Sequence, residues 1–223
     1  MWDLSGAKPG TTADQPSYTV RIAPKDDGGL LGAAELAWDA ARGVPLRAAI
    51  YAQGQSAPVL ELKATHISYG KVAASDVSAT PPKGAKVVEV NPPAGVDAHG
   101  KPTTVHGLAD VQEQVPFTIS APDTLAGLPR REVSLVRSGD ENGALVTYGK
   151  GLGQIVVFQH KAAAAKNDKS DLRLPTVNID GATGTELATS LGTIVTFDRG
   201  GVSYVVAGSV PPLAAENAAR GLR

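Results

Sequence analysis

Residues 16–69 read PSYTVRIAPKDDGGLLGAAELAWDAARGVPLRAAIYAQGQSAPVLELKATHISY. Apolar and polar residues alternate through this stretch, the period-2 signature of half-buried strands. Tyr18, Val20 and Ile22 alternate with Thr19 and Arg21 in a strand over Ser17–Ala23. Leu31–Trp38 puts Ala34, Leu36 and Trp38 on one face and Ala33, Glu35 and Ala37 on the other. Val44–Ala52 sets Val44, Leu46, Ala48 and Ile50 against Pro45, Arg47 and Tyr51. Val59–Tyr69 starts with Leu60 and Leu62 on one face and switches parity to Ile67 and Tyr69, which predicts a β-bulge at Thr65–His66. Turn residues separate the runs: Pro24–Gly29, Asp39–Gly43 and Gln53–Ser56. The reading is an antiparallel meander.

The rest of the chain agrees with a mainly β, α+β protein. Its 25 Gly and 16 Pro imply many turns, and 42% apolar residues suffice for a core. Residues 1–16, rich in Gly, Thr and Pro, read as a loose edge. The segment 91–104 has the Pro and Gly content of a linker, which divides the chain into residues 1–93, a linker at 94–104, and residues 105–223. A short edge strand is expected before it, at Val87–Val90. The second part opens with a helical turn over Val105–Gln114. Strands are expected at Phe117–Ser120, Arg131–Arg137, Ala144–Tyr148, Gln154–Lys161, Gly192–Asp198 and Ser203–Ala207. Ile155–Phe158 is apolar on both parities, as in a central strand covered on both faces. Ala162–Asp171 reads as a polar loop. Pro211-Pro212 starts a closing helix with Ala214, Ala218 and Leu222 on one face.

Several function classes find no support. A net charge of −1 argues against a nucleic-acid binder, which would carry a basic face. The absence of Cys excludes disulfides, thiolate metal sites and a Cys nucleophile. Gly149–Gly153 lacks the G-K-[ST] register of a phosphate loop and reads as a hairpin turn. There is no G-x-S-x-G elbow, so no catalytic residue is assigned and a hydrolase is the weakest reading. His66, His99, His106 and His160 lack metal-ligand spacing, and no metal or other cofactor is expected. Asp26-Asp27 and Asp140-Glu141 sit beside turn residues and read as solvated turns. Met1–Gly6 has neither a basic n-region nor an h-region, so it is not a signal peptide.

Two phrases resemble a known family. Asp39–Gly43 with Val44-Pro45-Leu46-Arg47, and later Thr65-His66-Ile67-Ser68-Tyr69, is similar to the D-x-x-x-G-x-P-L-R and T-x-I-x-Y hairpin of LolA-like bacterial envelope proteins. These include lipoprotein carriers and sigma-factor regulators of the RseB/MucB kind. Pro81–Val87 matches their P-P-x-G-A-K-V phrase, and Val115–Leu128 is similar to a small anti-sigma-associated α+β domain. The resemblance implies part of an antiparallel half-barrel whose apolar concave face holds acyl chains or a lipoprotein. It also implies an extracytoplasmic setting, membrane association through an upstream segment, and an anti-sigma factor as partner. On that reading Leu36, Trp38, Leu46, Ile50, Leu60 and Leu62 line the ligand face. The same alternation also fits an ordinary core, and an interaction module that uses an exposed sheet edge is the alternative.

Overall fold

The computed structural model describes residues 2–25, 29–85, 105–138, 141–162 and 174–223. The expected linker at 94–104, the expected edge strand at Val87–Val90, His99, Asp26-Asp27 and Asp140 lie outside them, as does most of the expected loop at 162–171. The class is the expected one: antiparallel β, with a curled partial half-barrel followed by a second sheet and a C-terminal helix.

The first sheet holds β1 (Trp2–Leu4), β2 (Lys8–Thr12), β3 (Gln15–Pro24), β4 (Leu31–Asp39), β5 (Pro45–Ala52) and β6 (Leu60–Lys63). Its order is β1-β3-β4-β5-β6, with β2 also on β3. The expectation of a loose edge at 1–16 is corrected. Trp2–Leu4 pairs with Pro24–Ile22 and Lys8–Thr12 pairs with Thr19–Gln15, so β1 and β2 cover successive stretches of one edge of β3. Backbone pairing makes these strands, and polar side chains left no alternation to read. Ala13 and Asp14, at φ 52° and 60°, form the tight turn between β2 and β3.

The fourth run is also corrected. β6 ends at Lys63, Ala64 keeps one backbone bond to β5, and residues 65–69 leave the sheet in place of a bulge. The parity switch in the sequence marks that departure. Tyr69 turns back to the β4–β5 loop, where its hydroxyl donates to Asp39 Oδ2 at 2.8 Å. The Asp39 Oδ1 atom accepts from the backbone of Ala41 at 2.8 Å and Arg42 at 2.6 Å. The Arg42 guanidinium lies 4.0 Å above the centre of the Tyr69 ring.

The second sheet runs β11-β12-β13-β14-β10-β9-β8-β7. Its elements are α1 (Leu108–Gln112), β7 (Thr124–Leu125), β8 (Leu128–Ser138), β9 (Glu141–Tyr148), β10 (Ile155–Lys161), β11 (Thr176–Ile179), β12 (Ala182–Thr189), β13 (Gly192–Arg199), β14 (Val202–Gly208) and α2 (Pro212–Gly221). The β11–β12 hairpin was not anticipated, although Asp180-Gly181 at φ 48° and 89° is the dipeptide such turns favour. Gly149–Gly153 forms the β9–β10 connection, with Gly149 and Gly151 at positive φ. α2 packs on β13, β14 and β11. Its buried face is Ala215, Ala218, Ala219 and Leu222, so the expected stripe is rotated and Ala214 lies at its margin. β10 is central, between β9 and β14. One of its faces, Ile155, Val157 and Gln159, is fully buried, while Val156 and Phe158 on the other are half-buried.

Phe117–Ser120 is not a strand. Two glutamines hold its backbone instead. Gln112 donates to Phe117 O at 2.6 Å and accepts from Ile119 N at 2.8 Å. Buried Gln159 accepts from Ser120 N at 2.8 Å and donates to Ser120 O at 2.9 Å. Side-chain amides thus take the place of a ladder.

The two sheets meet at Leu30. Its N–H donates to Ser209 O and Oγ, each at 2.9 Å, and its carbonyl accepts from Gln53 N at 2.7 Å. Gly29 sits here at φ 81°, and a Cβ on it would lie 2.7 Å from Ser209 O and 2.8 Å from Leu152 O. Only glycine fits that approach.

Candidate functional site: an apolar groove over an ion-pair network

Register decides which side chains of the first sheet share a face. Val20 pairs with Leu36, Leu36 with Ala48, and Ala48 with Leu62, while Ala34 pairs with Ile50 and Ile50 with Leu60. One face is therefore apolar across four strands. Leu36, Trp38, Leu46 and Leu62 line a groove there of about 440 Å³, together with Pro45, Ala48 and Ala64. Ile50 and Leu60 lie on the same face outside its lining. The six expected residues differ sharply in environment. Leu46 is 2% exposed, Leu36 40%, Leu60 61% and Leu62 79%. The pairing of β4 with β5 shifts between Ala37 and Trp38, which offsets Leu46 from the regular ladder. Leu46 is thus a floor residue and Leu62 a rim residue.

The opposite face is charged. Arg47 Nη1 donates to Glu35 Oε2 at 2.9 Å, Arg47 Nε to Glu61 Oε1 at 2.6 Å, and Arg21 Nη1 to Glu35 Oε1 at 3.0 Å. The Tyr51 hydroxyl accepts from Arg47 Nη2 at 2.9 Å and donates to Glu35 Oε2 at 2.8 Å. Burial pushes the Glu35 carboxyl up, but hydrogen bonds from Arg47, Tyr51 and Arg21 outweigh it and lower it to about 2. This network was not foreseen as a unit. Its signal was opposite charges on the same parity of neighbouring strands: Arg21 with Glu35, Arg47 with Glu61. It braces the backbone that carries the groove.

The histidines are dispersed. His66 is exposed beyond β6, and His106 Nδ1 lies 2.6 Å from Glu132 Oε1 beside β8. His160 Nδ1 is 2.9 Å from Lys161 O. Among the described residues no three His, Asp or Glu cluster as metal ligands. His160, Ser203 and Asp198 do form a cross-strand row on β10, β14 and β13, and Ser203 Oγ donates to Asp198 Oδ1 at 2.5 Å. The serine stands between the other two, whereas a relay needs the histidine in the middle. Among the described residues no helix is long and apolar enough to cross a membrane.

Fold and site together define a two-sheet antiparallel β protein with an open apolar groove. No protein-family model and no curated protein matches the chain. Among solved structures it is similar to MucB in complex with MucA(peri), at 20% identity and a TM-score of 0.49, over 100% of this chain and 67% of that one. It is also similar to the Pseudomonas aeruginosa MucA/MucB complex, at 19% and 0.49 over 100% and 64%, and to MucB alone, at 19% and 0.36 over 100% and 62%. The chain thus spans about two thirds of the length of these proteins. At these values the likeness carries no functional argument.

Proposed function

We propose that this chain is a non-enzymatic, extracytoplasmic binding protein of the bacterial envelope, in which residues 1–93 and 105–223 act as two domains. Its groove takes an acyl chain of a lipid or lipoprotein, and it acts through a protein partner of the anti-sigma type. The observation that carries the ligand reading is the groove of Leu36, Trp38, Leu46 and Leu62, with Leu36 and Leu62 open to solvent. Its volume falls in the range of small-molecule sites. Each methylene buried there contributes about 0.8 kcal/mol. The partner class rests on the sequence resemblance alone.

The test is native mass spectrometry with lipid extraction, on the chain and on its Leu36→Asp and Leu62→Asp variants. Co-purifying lipid in the chain, lost in both variants with unchanged circular dichroism, supports the groove. Unchanged lipid content in both variants, or no lipid in any sample, overturns it.

A further inference from the structure

β6 ends the first sheet, and among the described residues nothing pairs with its outer side. Ala64 N donates to Leu46 O at 2.8 Å across β5. In an antiparallel ladder the residues that face the neighbour alternate. Leu62 and Leu60 therefore turn their backbone groups to β5, and Glu61 and Lys63 turn theirs outward. An open edge of this kind is a template for another strand.

The side chains say which strand fits. On the charged face Lys63 stands directly opposite Arg47 in the β5–β6 register, a like-charge pair that is unfavourable. Glu61 is held by Arg47, and Lys63 has no ion pair among the described residues. The sequence Leu60-Glu61-Leu62-Lys63 is complementary to itself when reversed. An antiparallel copy centred on Leu62 places Glu61 opposite Lys63 of the second copy, and Lys63 opposite its Glu61. These are the residues whose backbone groups point outward, so each pair exchanges both N–H···O bonds. Centring on Glu61 or on Lys63 also aligns the outward groups, but sets like charges face to face. On the other face, Leu62 meets Leu62 of the second copy, and the exposed rims of the two grooves adjoin.

We propose that β6 is a self-pairing edge, through which two copies of this chain join antiparallel about Leu62 into one continuous sheet. The charge complementarity of Glu61 and Lys63 selects the second copy as the occupant and fixes the register. This does not depend on the groove holding a lipid.

Sedimentation of the chain over a range of concentrations tests it, with circular dichroism to verify folding. The weight-average mass of the chain is expected to rise from 22.8 kDa toward twice that value. Glu61→Lys and Lys63→Glu are each expected to stay monomeric, because each sets like charges opposite one another. An equimolar mixture of the two restores complementary pairs and is expected to associate again. A chain that stays monomeric throughout overturns the proposal, as do single variants that associate like the parent or a mixture that stays monomeric. If Glu61→Lys fails to fold through loss of its Arg47 contact, Lys63→Pro, which removes an outward N–H, replaces it, and its continued association overturns the pairing.

Discussion

The Tyr69 hydroxyl donates to Asp39 Oδ2 at 2.8 Å and joins residues 30 positions apart. These are the outer ends of the two phrases that carry the family resemblance, so the phrases form one structural unit. Burial pushes the Asp39 carboxyl up, but bonds from Tyr69, Arg42 and Ala41 outweigh it and hold the group below its ordinary range. Tyr69→Phe is expected to lower the melting temperature and speed tryptic cleavage at Lys71, because the segment after β6 loses its tether. Limited proteolysis checks this, and an unchanged cleavage rate would count against the tether.

Leu46 and Leu62 share the groove but not its energetics. Leu46→Ala is expected to cost about 2–5 kcal/mol, as for a buried leucine that leaves a cavity. Leu62→Ala is expected to change stability by less than about 0.5 kcal/mol. Urea denaturation of both variants separates floor from rim.

Glu35 gives the first sheet an acid dependence. Its folded pKa is lowered from 4.5 to about 2. The stabilisation is complete above the ordinary value and fades as pH falls from 4.5 toward 2. The chain is therefore expected to melt above Glu35→Gln at neutral pH, with the gap closing through that acid window. A gap that is constant with pH would assign the effect to packing.

Gln159 satisfies both backbone groups of Ser120 from within the core. Gln159→Ala is expected to cost about 1–3 kcal/mol for each buried group left unpaired. A cost below about 1 kcal/mol, measured by urea denaturation, would show that the segment finds other partners.

The Tyr148 hydroxyl is buried and has no hydrogen-bond partner among the described residues, and burial raises its pKa to about 12. Tyr148→Phe removes that polar atom and keeps the ring. It is expected to leave stability unchanged or raise it by about 1 kcal/mol. A clear loss in calorimetry would point to an unseen partner.

Strands were legible where side chains alternate, as in Tyr18-Val20-Ile22 and Leu36-Trp38, because one face of each is apolar. β1 and β2 were not, since Pro9, Gly10 and Thr11 join β3 through backbone groups that no side-chain pattern reports. Phe117–Ser120 looked like a strand because its residues suit one, yet its partners are the amides of Gln112 and Gln159. In the groove, face membership of Leu36, Leu46 and Leu62 was readable from parity. Depth was not, because it depends on the pairing shift beside Trp38 and on β6 being an edge.

The junction at Leu30 uses main-chain atoms of Leu30, Gln53 and Ser209, together with the Ser209 hydroxyl. Its identity requirements therefore fall on Gly29 and Ser209, because the main-chain bonds of Leu30 and Gln53 specify no side chain. In homologues that keep the two sheets in this arrangement, glycine at 29 and a hydroxyl-bearing residue at 209 should occur together. That paired signature offers a sharper way to recognise distant relatives than the apolar positions, which many unrelated β proteins share.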